Sequence, residues 1–127
     1  MSAPLAPDWT KLLRLAETEV TRTIAELPED LRGHAAQLPV SYEARPTQEM
    51  VDDGIETDTL GLFLGEPLHE QGASPLPSQI VLFLDVIWEF AEGDPEIFQD
   101  EIHVTYLHEL GHFLGLNEDE LEERGLL

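Results

Sequence analysis

Cysteine does not occur in this chain of 127 residues, so neither a disulfide framework nor a thiolate-held zinc site is open to it. Any metal must be held by histidine and carboxylate, the donor set of catalytic rather than structural zinc. Basic side chains are nearly as scarce. Six (Lys11, Arg14, Arg22, Arg32, Arg45 and Arg124) stand against 27 acidic ones, for a formal charge of −21. Such a surface repels nucleic-acid phosphates and anionic membranes, and it attracts cations and basic peptides. Solubility is its plainest use, although an acidic imitation of DNA is consistent with the charge alone. Long apolar runs are missing too: nothing approaches the roughly 18 residues of a membrane span. Residues 1–7 have neither the basic patch nor the apolar stretch of a signal peptide. The expectation is one domain over residues 1–127, soluble and cytoplasmic, monomeric by default, with no nucleic-acid or membrane partner.

What is present reads as alternating helices and strands. Asp8 is placed to cap a first helix, in which Trp9, Leu12, Leu13, Ala16, Val20, Ile24 and Leu27 form one apolar stripe until Pro28 stops it. A short helical turn over residues 29–32 is expected to end at Gly33. Residues 40–45 alternate like a half-buried strand, and residues 47–57, polar and acidic, read as loop. Residues 59–65 suggest a strand whose Gly61 and Gly65 let another backbone approach. Residues 66–78, with three prolines, read as an irregular loop, and the unbroken apolar run at 80–84 reads as the central strand.

A long helix near the C-terminus has clear punctuation. Asp94 is a favoured cap, Pro95 suits the first helical position, and Gly115 suits the left-handed position that ends helices. Between them Ile102, Tyr106, Leu110, Phe113 and Leu114 share one face, with Leu107 at its margin. Glu101, Thr105, His108 and His112 share the opposite face, which is expected to be polar and open.

That face carries the chemistry. His108-Glu109-Leu110-Gly111-His112 places two histidines one turn apart, so that both imidazoles reach one metal ion, with Glu109 beside it as a base for a water molecule. Gly115 and Glu118 extend the run to H-E-x-x-H-x-x-G-x-x-E. A third donor must come from beyond the helix. Gly115 turns the chain back, making Glu118 the nearest carboxylate and Asp119 the second. Asp119 is expected instead to cap a short terminal helix over residues 120–124. His103 faces the core side and is expected to pack or hydrogen-bond there. Glu101 lies roughly 10 Å up the helix axis from His108, too far to ligate. His34 and His69 fall in expected loops, where His69 is a candidate electrophilic helper. Tyr42 is a candidate for stabilising an oxyanion.

These residues carry a resemblance. The chain is similar to the small bacterial proteins of the minimal-zincin family, described as candidate zinc metallopeptidases, through Leu27-Pro28-Glu29-Asp30-Leu31, the strands at 39–45 and 80–84, Leu60 to Leu68, and His108 to Gly125. The resemblance implies an α+β zincin-like core, with a small twisted mixed sheet, a backing helix and an active-site helix. It also implies one Zn2+ ion held by His108, His112 and Glu118, with Glu109 as general base. Two features depart from the related metzincin pattern. Glu118 stands where histidine or aspartate is usual, and both methionines, Met1 and Met50, lie upstream of the motif. The expected function is a zinc-dependent metallopeptidase acting on small or unfolded, preferentially basic, peptides, which add as a strand beside residues 59–65. The alternative is a non-catalytic zinc-site protein acting as a peptide-binding or regulatory module.

Overall fold

The computed structural model describes residues 8–70 and 77–127. Helix α1 (Trp9–Ala25) starts where the Asp8 side chain accepts from the Thr10 amide. Its stripe buries Leu12, Ala16 and Val20, while Trp9 stays exposed at the first turn. Helix α2 (Glu29–Gln37) runs straight through Gly33, contrary to the expectation that the glycine ends it. An interior glycine costs a helix about 1 kcal/mol, and the burial of Leu31, Ala35 and Leu38 in the core outweighs that. His34 therefore lies on a helix rather than in a loop. The end comes at Leu38, whose extended backbone is what a following proline demands.

Strands β1 (Val40–Glu43), β2 (Gly61–Leu64) and β3 (Gln79–Phe83) form a sheet of order β1-β3-β2. β1 runs parallel to β3 and β2 antiparallel to it, with Tyr42 opposite Leu82 and Leu62 opposite Val81. The apolar run is thus central. It is buried on both faces, Ile80 and Leu82 on one and Val81 and Phe83 on the other. The second face needs its own cover, which explains helix α3 (Gln48–Asp52) in a segment that reads as acidic loop. Thr47 caps α3, and its Met50 packs with Leu60 and Leu62 against Val81, Phe83 and Val86. Helix α4 (Leu84–Phe90) follows β3 directly, so Leu84 opens a helix instead of closing a strand. Leu68–Glu70 form one 3₁₀ turn, and residues 71–76 of the expected loop lie outside the described residues.

Helix α5 (Pro95–Leu114) is the hub, packing against α1, α4, β2, β3 and the short α6 (Glu118–Glu123). Its ends are as the sequence indicates: Asp94 accepts from the amides of Glu96 and Ile97, and Gly115 sits at φ 74°. Its open face is narrower than expected. Thr105 and Glu109 are both buried, because β2 lies across that side of the helix. The closeness is possible only at Gly61, where a Cβ would fall 2.8 Å from Thr105 Cγ2. The architecture is a small α+β fold with a three-stranded mixed sheet. Among the described residues no helix is long and apolar enough to cross a membrane.

Candidate metal centre

The last turns of α5 bring His108, Glu109 and His112 together, with one donor atom from each lying within 4.8 Å of the others. Helical spacing stacks the two rings, and their centroids are 4.9 Å apart at 87°. The two Nε2 atoms face each other at 3.3 Å. Tetrahedral zinc with bonds of about 2.0–2.1 Å to nitrogen needs its donors about 3.3–3.4 Å apart, so the pair has the spacing that one ion requires.

Glu109 sits between helix and sheet. Its carboxylate accepts from the backbone N–H of Phe63 on β2. Leu60 O accepts from the Phe83 amide across the sheet, so by antiparallel alternation Gly61 and Phe63 turn their N–H and C=O groups to the free edge. Glu109 is therefore anchored at the very edge an added strand would use. Burial pushes its carboxyl above the ordinary glutamate value of 4.5, opposed by His108 and by the Phe63 hydrogen bond. A carboxylate raised in this way is a stronger base near neutral pH than an exposed one. The Phe63 anchor has no signature in the sequence, because it is a backbone group and depends on sheet register.

Beyond the helix, Gly115 turns the chain so that Glu118 returns to the site, with its Oε1 3.2 Å from Nδ1 of His108. It approaches the ring nitrogen that points away from the Nε2 pair, and it is not among the donors that converge within 4.8 Å. The expected role of Asp119 is overturned. Asn117 caps α6, accepting from the Glu120 amide while Glu120 Oε1 accepts from the Asn117 amide. This reciprocal capping box starts the helix two residues earlier than expected and leaves Asp119 in its first turn. Gly111, inside the motif, lets this return segment close: a Cβ there would lie 2.8 Å from the Leu116 carbonyl and 3.0 Å from Leu121 Cδ1.

The other candidates disperse. His103 Nδ1 meets Thr23 Oγ1 on α1 at 2.8 Å, the packed role expected of it. His69 lies against Gly115 at the end of α5, its ring 3.7 Å from where a Cβ would be, outside the converging donors. Tyr42 is on β1, with β3 between it and the strand at the site, and burial raises its hydroxyl to about 12. It cannot serve an oxyanion beside His108.

A cavity of about 420 Å³ opens on one side of His108, walled by His112, Leu116 and Glu118. A groove against β2 opens on the other side, walled by Leu60, Val104 and Glu109. His108 thus stands at the meeting of two clefts. No curated protein matches the chain. The family model described as zincin-like metallopeptidase matches residues 35–126, from the last three residues of α2 through the whole sheet and past the end of α6. A match over that much of the chain, including every element that builds the site, places this protein among the zincin-like metallopeptidases.

Proposed function

We propose that the protein is a zinc-dependent peptidase that hydrolyses small or unfolded peptides laid along the free edge of β2. The observation that carries this reading is the convergence of His108 and His112 at 3.3 Å beside a buried glutamate held at that edge by Phe63. Family membership implies zinc, and the donor spacing suits it. When bound, zinc would supply Lewis acidity, lowering the pKa of a water and polarising a peptide carbonyl. His108 and His112 would hold the ion through Nε2. Glu118 is the third donor in this reading: its side chain is 71% exposed, so nothing packed against it opposes the rotation from Nδ1 of His108 toward the Nε2 pair. Glu109 takes the proton from the attacking water and passes it to the leaving amine. The substrate backbone pairs with the outward groups of Gly61, in the manner of strand addition.

Glu109→Gln tests this. Zinc content, measured on the purified protein, should be retained, and the turnover of a broad peptide library should fall about 10²–10⁴-fold. Hydrolysis that survives the change would refute the mechanism. The second reading, a zinc-holding peptide-binding module, is favoured by the openness of the site, since His112 and Glu118 are both exposed and no described segment covers them. Bound zinc with no cleavage in the wild-type digest would select it.

A further inference from the structure

The groove between β2 and α5, about 310 Å³, has a chemical gradient along its length. At one end stand His108 and Glu109. Leu60, Val104 and Thr105 form its sides, and Glu101 stands at the far end. Residues 101, 104, 105 and 108 follow one face of α5 at helical spacing, so the groove runs along the helix axis. Seven residues of rise put Glu101 roughly 10 Å from His108. Glu101 makes no hydrogen bond or ion pair among the described residues, unlike Glu19 or Glu89. An unpaired carboxylate thus closes an otherwise apolar slot that begins at the metal-site residues.

We propose that this groove is a specificity subsite for one basic side chain, lysine or arginine, next to the scissile bond, with Glu101 receiving its charged end. The proposal rests on the peptidase reading for its placement at a scissile bond. An extended lysine or arginine side chain spans roughly 6–7 Å from its Cα, from bond lengths of about 1.5 Å. The backbone from that Cα to the reacting carbonyl covers most of the remaining distance. The methylene stem lies against Leu60, Val104 and the Thr105 methyl, the way such stems cover apolar surface while the head stays wet. A purely aliphatic side chain would fill the slot but leave Glu101 partly desolvated without a partner. An acidic one would meet like charge. Glu101 is a specificity residue, not a ligand.

The test has two arms, both on the full-length zinc-loaded protein. In the first, Nα-acetyl-lysine amide and Nα-acetyl-norleucine amide are titrated while the backbone amide resonances of Val104 and Thr105 are followed. The lysine amide should shift both and bind more tightly. Glu101→Gln should weaken its binding about 10-fold or more, the loss expected for a charged hydrogen bond, and added salt should do the same in the wild type. In the second, peptides differing only at the residue flanking the cleaved bond are compared. Glu101→Gln should lower the lysine-to-norleucine ratio of kcat/KM about 10-fold, mainly through KM, with zinc content unchanged. Glu101→Lys should turn the preference toward glutamate. No cleavage of any peptide, with the lysine-amide shifts present, would remove the peptidase reading and uphold the groove as a site for basic side chains. Cleavage with equal lysine and norleucine rates, or a lysine preference untouched by Glu101→Gln, would overturn the groove assignment and leave the peptidase reading standing.

Discussion

Two histidine–glutamate clusters sit on different sides of the same helix, and they differ in one respect. Around His103 the buried polar groups are paired. Its Nδ1 meets Thr23 Oγ1 at 2.8 Å, and Glu19 beneath it, only 2% exposed, accepts twice from Arg22 at 2.8 and 2.9 Å. Around His108 and His112 the two Nε2 atoms face each other at 3.3 Å, and among the described residues no lysine or arginine pairs with the buried Glu109. The first cluster is a knot tying α1 to α5. The second holds its donors toward a shared point, the spacing that a single metal ion would need. The same residue types on one helix therefore serve packing in one place and, in the other, leave donors converging and free to take a metal ion, according to whether the neighbouring elements supply complementary groups.

Removing a donor should separate the clusters most sharply. His112→Ala should lower zinc affinity more than about 100-fold, beyond the 10–100-fold typical of losing an outer partner, while its circular dichroism stays that of the wild type. Competition with a chelator measures the first. If zinc binding persists, the two histidines do not share an ion.

Next comes Glu118→Ala. A lost ligand should weaken zinc by a factor comparable to that of His112→Ala. A carboxylate that only holds Nδ1 of His108 should cost 10–100-fold. The same chelator titration therefore reports which nitrogen-facing position at 3.2 Å matters in the loaded protein. No change at all would exclude Glu118; loss of zinc in Asp119→Ala would then make Asp119 the third donor, and retention in both variants would place it upstream.

The structural cluster should respond in the opposite sense. Thr23→Val removes the partner of His103 while keeping the shape, and should destabilise the protein by about 1 kcal/mol in urea unfolding without altering zinc affinity. A loss of zinc in this variant would show that the two clusters are coupled through α5.

The smallest effect is expected at the surface. Arg124 Nη2 lies 2.7 Å from Asp30 Oδ2, joining the end of α6 to α2, and this bond holds the Asp30 carboxyl below its ordinary value of 3.8. A depressed acid contributes stability above its unfolded pKa and loses it as pH falls through the folded one. Arg124→Ala should thus lower Tm slightly at neutral pH and low salt. The difference should fade in added salt and disappear on acidification below pH 3.8 through the depressed value. A difference that is constant across pH would mean that Arg124 acts through packing rather than charge.

How much of this was readable beforehand depends on the range of the forces involved. Helix α5 was legible from Asp94 to Gly115 because caps and left-handed stops act within one turn of the residue that carries them. β3 was legible because five consecutive apolar residues need cover on both faces. Helix α3 was not, since its only apolar anchors, Met50 and Val51, lie among polar and acidic neighbours, and its reason to form is the far face of β3. Gly33 misled for a related cause: its local penalty is real, but Leu31 and Ala35 are buried in the core, with α1 packed against α2. Asn117 could have been read, because it stands three residues before Glu120 in the spacing of a capping box.

By itself the sequence determined that two imidazoles and a glutamate share the end of one helix, since a 3.6-residue period needs no other part of the molecule to stack positions 108 and 112. It likewise determined the acidic surface and the absence of thiolate ligands. Only the tertiary structure decided that Glu109 is buried and held by the Phe63 amide, that Thr105 is covered, and that Glu101 closes a groove. Those depend on where β2 crosses α5, a long-range contact set by sheet register and by the bare backbone of Gly61.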